Sequence, residues 1–563
     1  MNLLAKTLRK GGSLFNITDL ILGVHPLRTT MTGRCFARCV ILLAFGGTSL
    51  LTAQQQPTDA VKLGTVHFPV SCSADAQRQF DRALSMLHSF WYPQGLEAFT
   101  AITTTEPDCA MAYWGIAISA RANPLAGSPD AAALERGRQA VEKAKAAAAR
   151  TPREGDYIAA MDAYYRDWEK RDYRTRVLAY ETAMEQLSRR YPDDYEAALF
   201  YALAINEAVT VSPADKSYSR PLEAGQILER VLAAQPDHPG ALHYLIHSYD
   251  FPSLAARGLP AAERYADVAP SAPHALHMPS HVYSMLGMWQ ESIRSNQAAL
   301  GVAKTYVHAM DFMVYAYLQG AQDREAKRLV DESSALQGSQ AAPAARSPTG
   351  AVLGVYTAYA AIPARYALER GQWAEARALR TTPAYPVADA ITYFARAMGA
   401  ARSGDAAAAR QEIGHLEALR DALKQDTYWA EQVEIQRLAA EAWTVHASGK
   451  NNEALKLMQA AADREDASEK HVAMENRLWP MRELLGELLL VLKQPAPALQ
   501  AFEQSFKSAP NRFRGYYGAA KAAERLGDRV KARQYYEKIV ALSVHADDNR
   551  PELTEARAIL TAK

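Results

Sequence analysis

The sequence predicts an all-α protein, built as a solenoid of repeated helical hairpins. Two observations carry this expectation. Apolar residues recur at helical spacing almost throughout, with no convincing alternating strand pattern. Residue patterns also repeat at intervals of 34, the signature of a repeat architecture. Composition agrees: 49% of the 563 residues are apolar and 22% charged, an ordinary globular mix. The 63 Lys and Arg balance 62 Asp and Glu for a net charge of +1. Such a balance carries no electrostatic footprint for nucleic acid or an anionic membrane. Four cysteines are too few for a disulfide scaffold.

The amino-terminal region reads as an export leader. Val40 to Leu51, VILLAFGGTSLL, is apolar and follows Arg34 and Arg38. This run is short of the ~20 residues needed to cross a bilayer. With Ala53 as a small residue at the cut, residues 1–53 fit a secretory signal, Met31 being an alternative start. The expected mature protein is periplasmic or secreted and has no transmembrane anchor. Cys35 and Cys39 leave with the leader, so Cys72 and Cys109 remain and can pair across 37 residues. Residues 54–74 are expected to be a linker.

The repeats then run from about residue 75 to the end. Gly486, Ala498 and Phe502 recur 34 residues later as Ala520, Ala532 and Tyr536, with Pro510 closing the first copy. Small residue, Ala, aromatic and Pro at this period match the tetratricopeptide (TPR) pattern. Small residues let paired helices approach, the aromatic fills the gap to the next repeat, and Pro ends the second helix. Related phasing appears at Gly95/Phe99/Ile102/Pro107, Tyr180/Met184/Leu187/Pro192, Ala224/Leu228/Val231/Pro236 and Gly449/Ala454/Met458. Roughly ten helix pairs are expected. Residues 337–350, QGSQAAPAARSPTG, read as a loop between an amino-terminal array (75–336) and a carboxy-terminal array (351–563).

Histidine is unevenly spread. Seven of the 14 lie between His238 and His308. ALHYLIHSYD and HALHMPSHVYS align at an offset of 34, pairing His243 with His277 and His247 with His281. His274 precedes His277 by three residues, and His308 and Asp311 repeat that spacing one period on. Spacings of three and four place these rings on one helix face. The expectation is therefore a histidine strip on successive first helices, and the resemblance to TPR repeats, whose first helices line the inner groove, implies that the strip faces a concave groove. Imidazoles so spaced suit a divalent transition metal: Zn, Cu, Ni or Fe. Asp250 and Asp311 are candidate additional or orienting groups. Binding would then weaken between about pH 5 and 7, where protons compete for imidazole. A polar groove wall without metal is the other reading. Pro279 is expected to distort the helix carrying His281 or to start it anew, which weakens the one-face argument.

The segments SCSADAQRQF (71–80), LHSFWY (87–92), CAMAYWGIA (109–117), YPDDYEAALFYALA (191–204), PDHPGALHYLIHSYD (236–250), APHALHMPSHVYSMLGMW (272–289) and HAMDFMVYAYLQ (308–319) resemble a group of exported bacterial TPR proteins of poorly defined role. The resemblance implies an all-α solenoid with a binding role and supplies no catalytic residue. The functional expectation is an exported scaffold whose groove binds a peptide, protein or small ligand, with Tyr201, Tyr244, Tyr249, Tyr283 and Tyr315 offering contact area. The alternative is a metal-binding protein or metal-dependent hydrolase using positions 243–311. A zincin helix is ruled out because Tyr, Leu and Ile, not Glu, separate His243 from His247.

Overall fold

A computed structural model describes residues 61–561 except 148, 340–348, 350–351, 382–384, 473, 475–476 and 548–549. The expected leader, most of the 337–350 loop and residues 54–60 lie outside the described residues. Residues 59–563 form one compact unit. Its described residues contain helices and no strand, running from Ala74–His88 to Pro551–Thr561. The described residues thus form an all-α array of successive packed helices.

The hairpins close in the way their composition dictates. Helices Met481–Val491 and Pro495–Ser505 form one pair; Phe513–Arg525 and Arg529–Leu542 form the next. Phe502 seats its ring between them. A methyl group at Gly486 would lie 2.7 Å from that ring, and one at Gly518 only 2.2 Å. Glycine here permits close approach rather than an unusual backbone. The same device recurs upstream, where a methyl at Gly225 would meet the Tyr249 hydroxyl at 2.4 Å and one at Gly115 the Phe99 ring at 2.3 Å.

Residues 61–73, expected as part of a linker, are instead an extended strap packed on the array. Leu63, Val66 and Phe68 are buried. Phe68 meets the rings of Phe80, Trp114 and Tyr157. The Thr65 amide donates to the Asp237 carbonyl at 3.0 Å. Three apolar residues spaced two or three apart explain why the segment does not stay in solvent. Cys72, at the strap's end, is bonded to Cys109, with Cα atoms 5.4 Å apart.

The array curls until distant hairpins touch. Trp289 donates its ring N–H to the Asn511 carbonyl at 2.7 Å. Arg550 pairs with Asp323 at 2.6 Å. Arg512, fully buried, holds Glu369, Glu483 and the Tyr315 hydroxyl at 2.6–2.7 Å. This curvature corrects the expectation of an open aromatic groove. Tyr244 and Tyr315 are buried, the hydroxyls of Tyr201 and Tyr249 donate to Glu223 and Glu229 beside them, and Tyr283 alone of the five keeps partial exposure. The helix expected to stop before the loop runs through Asp323–Gly338, two residues into it.

Close approach at Gly518 makes a quantitative expectation. Replacing it with Ala gains up to about 1 kcal/mol of helix propensity, but overfilling against Phe502 costs about 1–3 kcal/mol. Gly518→Ala should lower the urea midpoint of the carboxy-terminal hairpins. Gly527→Ala, where no atom lies within 4 Å but φ is +77°, should lower it through backbone strain alone. An unchanged midpoint for Gly518→Ala would contradict the seated ring.

Candidate metal centre

Three successive first helices bring the histidines together. Pro239–Ser248 carries His243 and His247; Pro273–His277 carries His274 and His277; Val307–Gln319 carries His308. His281 sits on Pro279–Met285, which continues directly from Pro273–His277 through Met278 in helical conformation. Pro279 occupies the first turn, where no amide donor is required. The helix thus starts anew at Pro279, one of the two outcomes expected for it, and His281 still stands beside His277, with their Nε2 atoms 3.1 Å apart.

The rings do not line an open groove. His243, His247, His274, His277 and His281 are each 0–3% exposed, and His308 is 9%. Asn123, Ala126, Gly354 and Val355 line the same small cavity as four of the rings. Gly354 makes room for His308, whose Nδ1 would lie 3.3 Å from a methyl there.

Within the described residues the six rings form two triads: His243, His247 and His274, and His277, His281 and His308. In each, three ligand nitrogens lie within 4.8 Å of one another. An ion with bonds of about 2.0–2.1 Å to imidazole would hold such atoms about 3.3–3.6 Å apart. The triads touch, with the His274 and His277 rings 5.9 Å apart and the His247 and His281 rings 6.0 Å apart.

Hydrogen bonds fix several tautomers. Asn296 donates its Nδ2 to the Ser292 carbonyl at 2.8 Å, which aims Oδ1 at His277. His277 Nδ1–H then donates to that oxygen at 2.6 Å. His281 Nδ1–H donates to Asp250 at 2.9 Å. Both Nε2 atoms are consequently lone-pair acceptors, yet they face each other at 3.1 Å. His243 Nδ1–H donates to the His88 carbonyl at 2.6 Å, leaving its Nε2 as an acceptor 3.1 Å from His274 Nε2. His247 has no hydrogen-bond partner on either nitrogen. A buried unsatisfied group costs about 1–3 kcal/mol, and a cation satisfies facing lone pairs directly.

A third group offers a contrast. His88 and His238 each bond one oxygen of Glu196, at 2.9 and 3.0 Å. Their other nitrogens meet the Tyr244 hydroxyl and the Ala241 amide. Burial pushes the Glu196 carboxyl up, but the two imidazoles pull it well below the carboxylate range. Every polar atom of that trio is served, so nothing there calls for an ion.

The two aspartates separate. Asp250 orients His281 and pairs with Lys470 Nζ at 2.8 Å. Asp311, expected beside the histidines, instead pairs with Arg365 at 3.1 Å. Ser280 donates to the His277 carbonyl at 2.7 Å. Sequence reasoning missed His88, Glu196, Asn296 and Gly354. His88 and Glu196 lie far from the repeat that drew attention, and neither Asn296 nor Gly354 stands out by type.

No family model matches this chain, and no curated protein does. Among solved structures it is similar to the crystal structure of the APC/C hetero-tetramer Cut9-Hcn1, at 12% identity, over 86% of this chain and 89% of that one, with a TM-score of 0.33.

Burial also moves the expected titration. Desolvation lowers the imidazoles from their ordinary range, His277 to about 4 and His243 to about 3, with His247, His274, His281 and His308 lowered well. The window of about pH 5–7 expected from free imidazole does not apply to the folded site. The unfolded chain still takes protons near pH 6.5, whereas the folded chain refuses them. Stability is therefore complete above that pH and falls below it, by about 1.4 kcal/mol per pH unit for each such group. The melting temperature of metal-free protein should drop steeply from pH 6.5 toward pH 4. A flat profile over that range would contradict neutral burial.

Proposed function

We propose that this chain is a transition-metal-binding protein built on a TPR-like helical array, with the ion held by the buried histidine triads. The observation that carries this reading is the pair of facing Nε2 acceptors on His277 and His281, with tautomers set by Asn296 and Asp250. The Asp250–His281 arrangement is the carboxylate–imidazole pairing that orients metal ligands in general. Imidazole ligands suit Zn, Cu, Ni or Fe. The site contains ligands and an orienting carboxylate but no free general base, so binding rather than catalysis is the reading.

The coarser role is that of a scaffold for a protein or peptide. A cavity of about 640 Å³ supports it, with Tyr218, Phe251, Tyr428, Arg464 and Lys470 in its walls. Lys470 also contacts Asp250, so the cavity and the histidine cluster share a wall. Export completes the proposal. The leader-like run before Gln54 and the bonded Cys72–Cys109 pair both suit an oxidising compartment.

Protein purified without a histidine tag should carry transition metal in near-stoichiometric amount by elemental analysis. The His277→Ala/His281→Ala double variant should lose at least part of it. Adding the metal at a hundredfold excess over its Kd should stabilise the metal-free protein by ~2.7 kcal/mol. Less than about a tenth of an ion per chain, with no thermal shift, would leave the histidines as core lining. For export, amino-terminal sequencing of protein from the extracytoplasmic fraction should begin near Gln54; an intact chain in the cytosol would overturn that part.

A further inference from the structure

The two triads share one cavity. It measures about 20 Å³, and its lining includes His247 and His274 of one triad and His281 and His308 of the other. That volume is close to the ~10–15 Å³ that one water-sized molecule requires. Each triad therefore has three nitrogen ligands of its own, while the space beyond them admits a single small guest.

Charge narrows the ion. Among the described residues no carboxylate oxygen joins either triad. Asp250 is paired with Lys470 and Asp311 with Arg365. Two divalent ions would put four positive charges into a site without free anionic compensation, and removing charge from water costs several kcal/mol per ion. Divalent zinc on three protein ligands also retains a fourth, usually water. Two such ions would require two guests or one bridging guest. Of the metals that imidazole suits, copper has a stable monovalent state, halves the charge and accepts three-coordinate geometry.

We propose that the triads hold two monovalent copper ions, one on His243, His247 and His274 and one on His277, His281 and His308, with rings of both triads bordering the shared cavity. This rests on the metal-binding reading above.

The test uses the full metal-free chain under anaerobic conditions, titrated with Cu(I) against a chromophoric Cu(I) chelator and, separately, with Zn(II). Two Cu(I) per chain are expected, three-coordinate with imidazole scattering in X-ray absorption, and not displaced by equimolar Zn(II). His247→Ala and His308→Ala should each reduce the stoichiometry from two to one, with circular dichroism reporting that the helices persist. If either variant unfolds, the wild-type stoichiometry and coordination number decide. A single copper per chain would overturn the paired arrangement while leaving metal binding intact. Two Zn(II) that displace Cu(I) would overturn the copper assignment alone. Failure to retain any of Cu, Zn, Ni or Fe would overturn both this inference and the proposed function.

Discussion

Aromatic rings seated in glycine notches set the distance between neighbouring helices, and the rest of the structure depends on that distance. Tyr249 fits over Gly225, Phe99 over Gly115 and Phe502 between Gly486 and Gly518. Each notch lets an aromatic ring occupy space that a single methyl group would close. Helices drawn this close expel water from the faces they share. The first helices near the middle of the chain carry histidine on those faces. Polar rings that an open groove would have hydrated are consequently held in a dry interior. Phe90 completes the enclosure, with its ring stacked on His274 at 5.5 Å and edge-on to His243 at 4.3 Å.

Dry confinement changes what imidazole can do. In water an unmatched ring nitrogen simply binds solvent, so its tautomer is free. Here Asn296, Asp250 and the His88 carbonyl each claim one N–H, and the remaining nitrogens must face whatever the helices present. At His88, Glu196 and His238 they face matching partners. At His277 and His281 they face each other, and at His247 they face nothing that hydrogen-bonds. One protein thus buries histidine both as a completed network and as an incomplete one. The difference lies in hydrogen-bond complementarity, not in residue type or burial.

The sequence made half of this legible, for a physical reason. Local spacing survives folding: residues four apart on a helix share a face whatever surrounds them. That is why His243 with His247, and His277 with His281, were readable, as was the 34-residue offset that stacks them. Global curvature is not local. It arises from contacts such as Trp289 with Asn511 and Arg512 with Glu369, more than a hundred residues apart. Without it, the strip looks like a groove wall, Tyr315 like a ligand contact and Asp311 like a ligand. With it, Tyr315 meets Arg512, Asp311 meets Arg365 and the strip becomes core. The strap at 61–73 was misjudged for the same cause, because its docking surface is assembled from helices far along the chain.

Lys470 shows how the two halves of the array constrain the cluster. It belongs to the carboxy-terminal half and lines the large cavity, yet its ammonium lies against Asp250 in the amino-terminal half. Burial raises the Asp250 carboxyl and Lys470 opposes that shift, the balance leaving it raised to about 7. The ammonium favours the ionised carboxylate, the form that accepts from His281 Nδ1. Nε2 then points its lone pair at His277. If Lys470 withdrew, Asp250 would favour its protonated form, and His281 would be free to adopt the other tautomer. The orientation of an imidazole nitrogen on one helix thus depends on a cation nearly two hundred residues further along the chain.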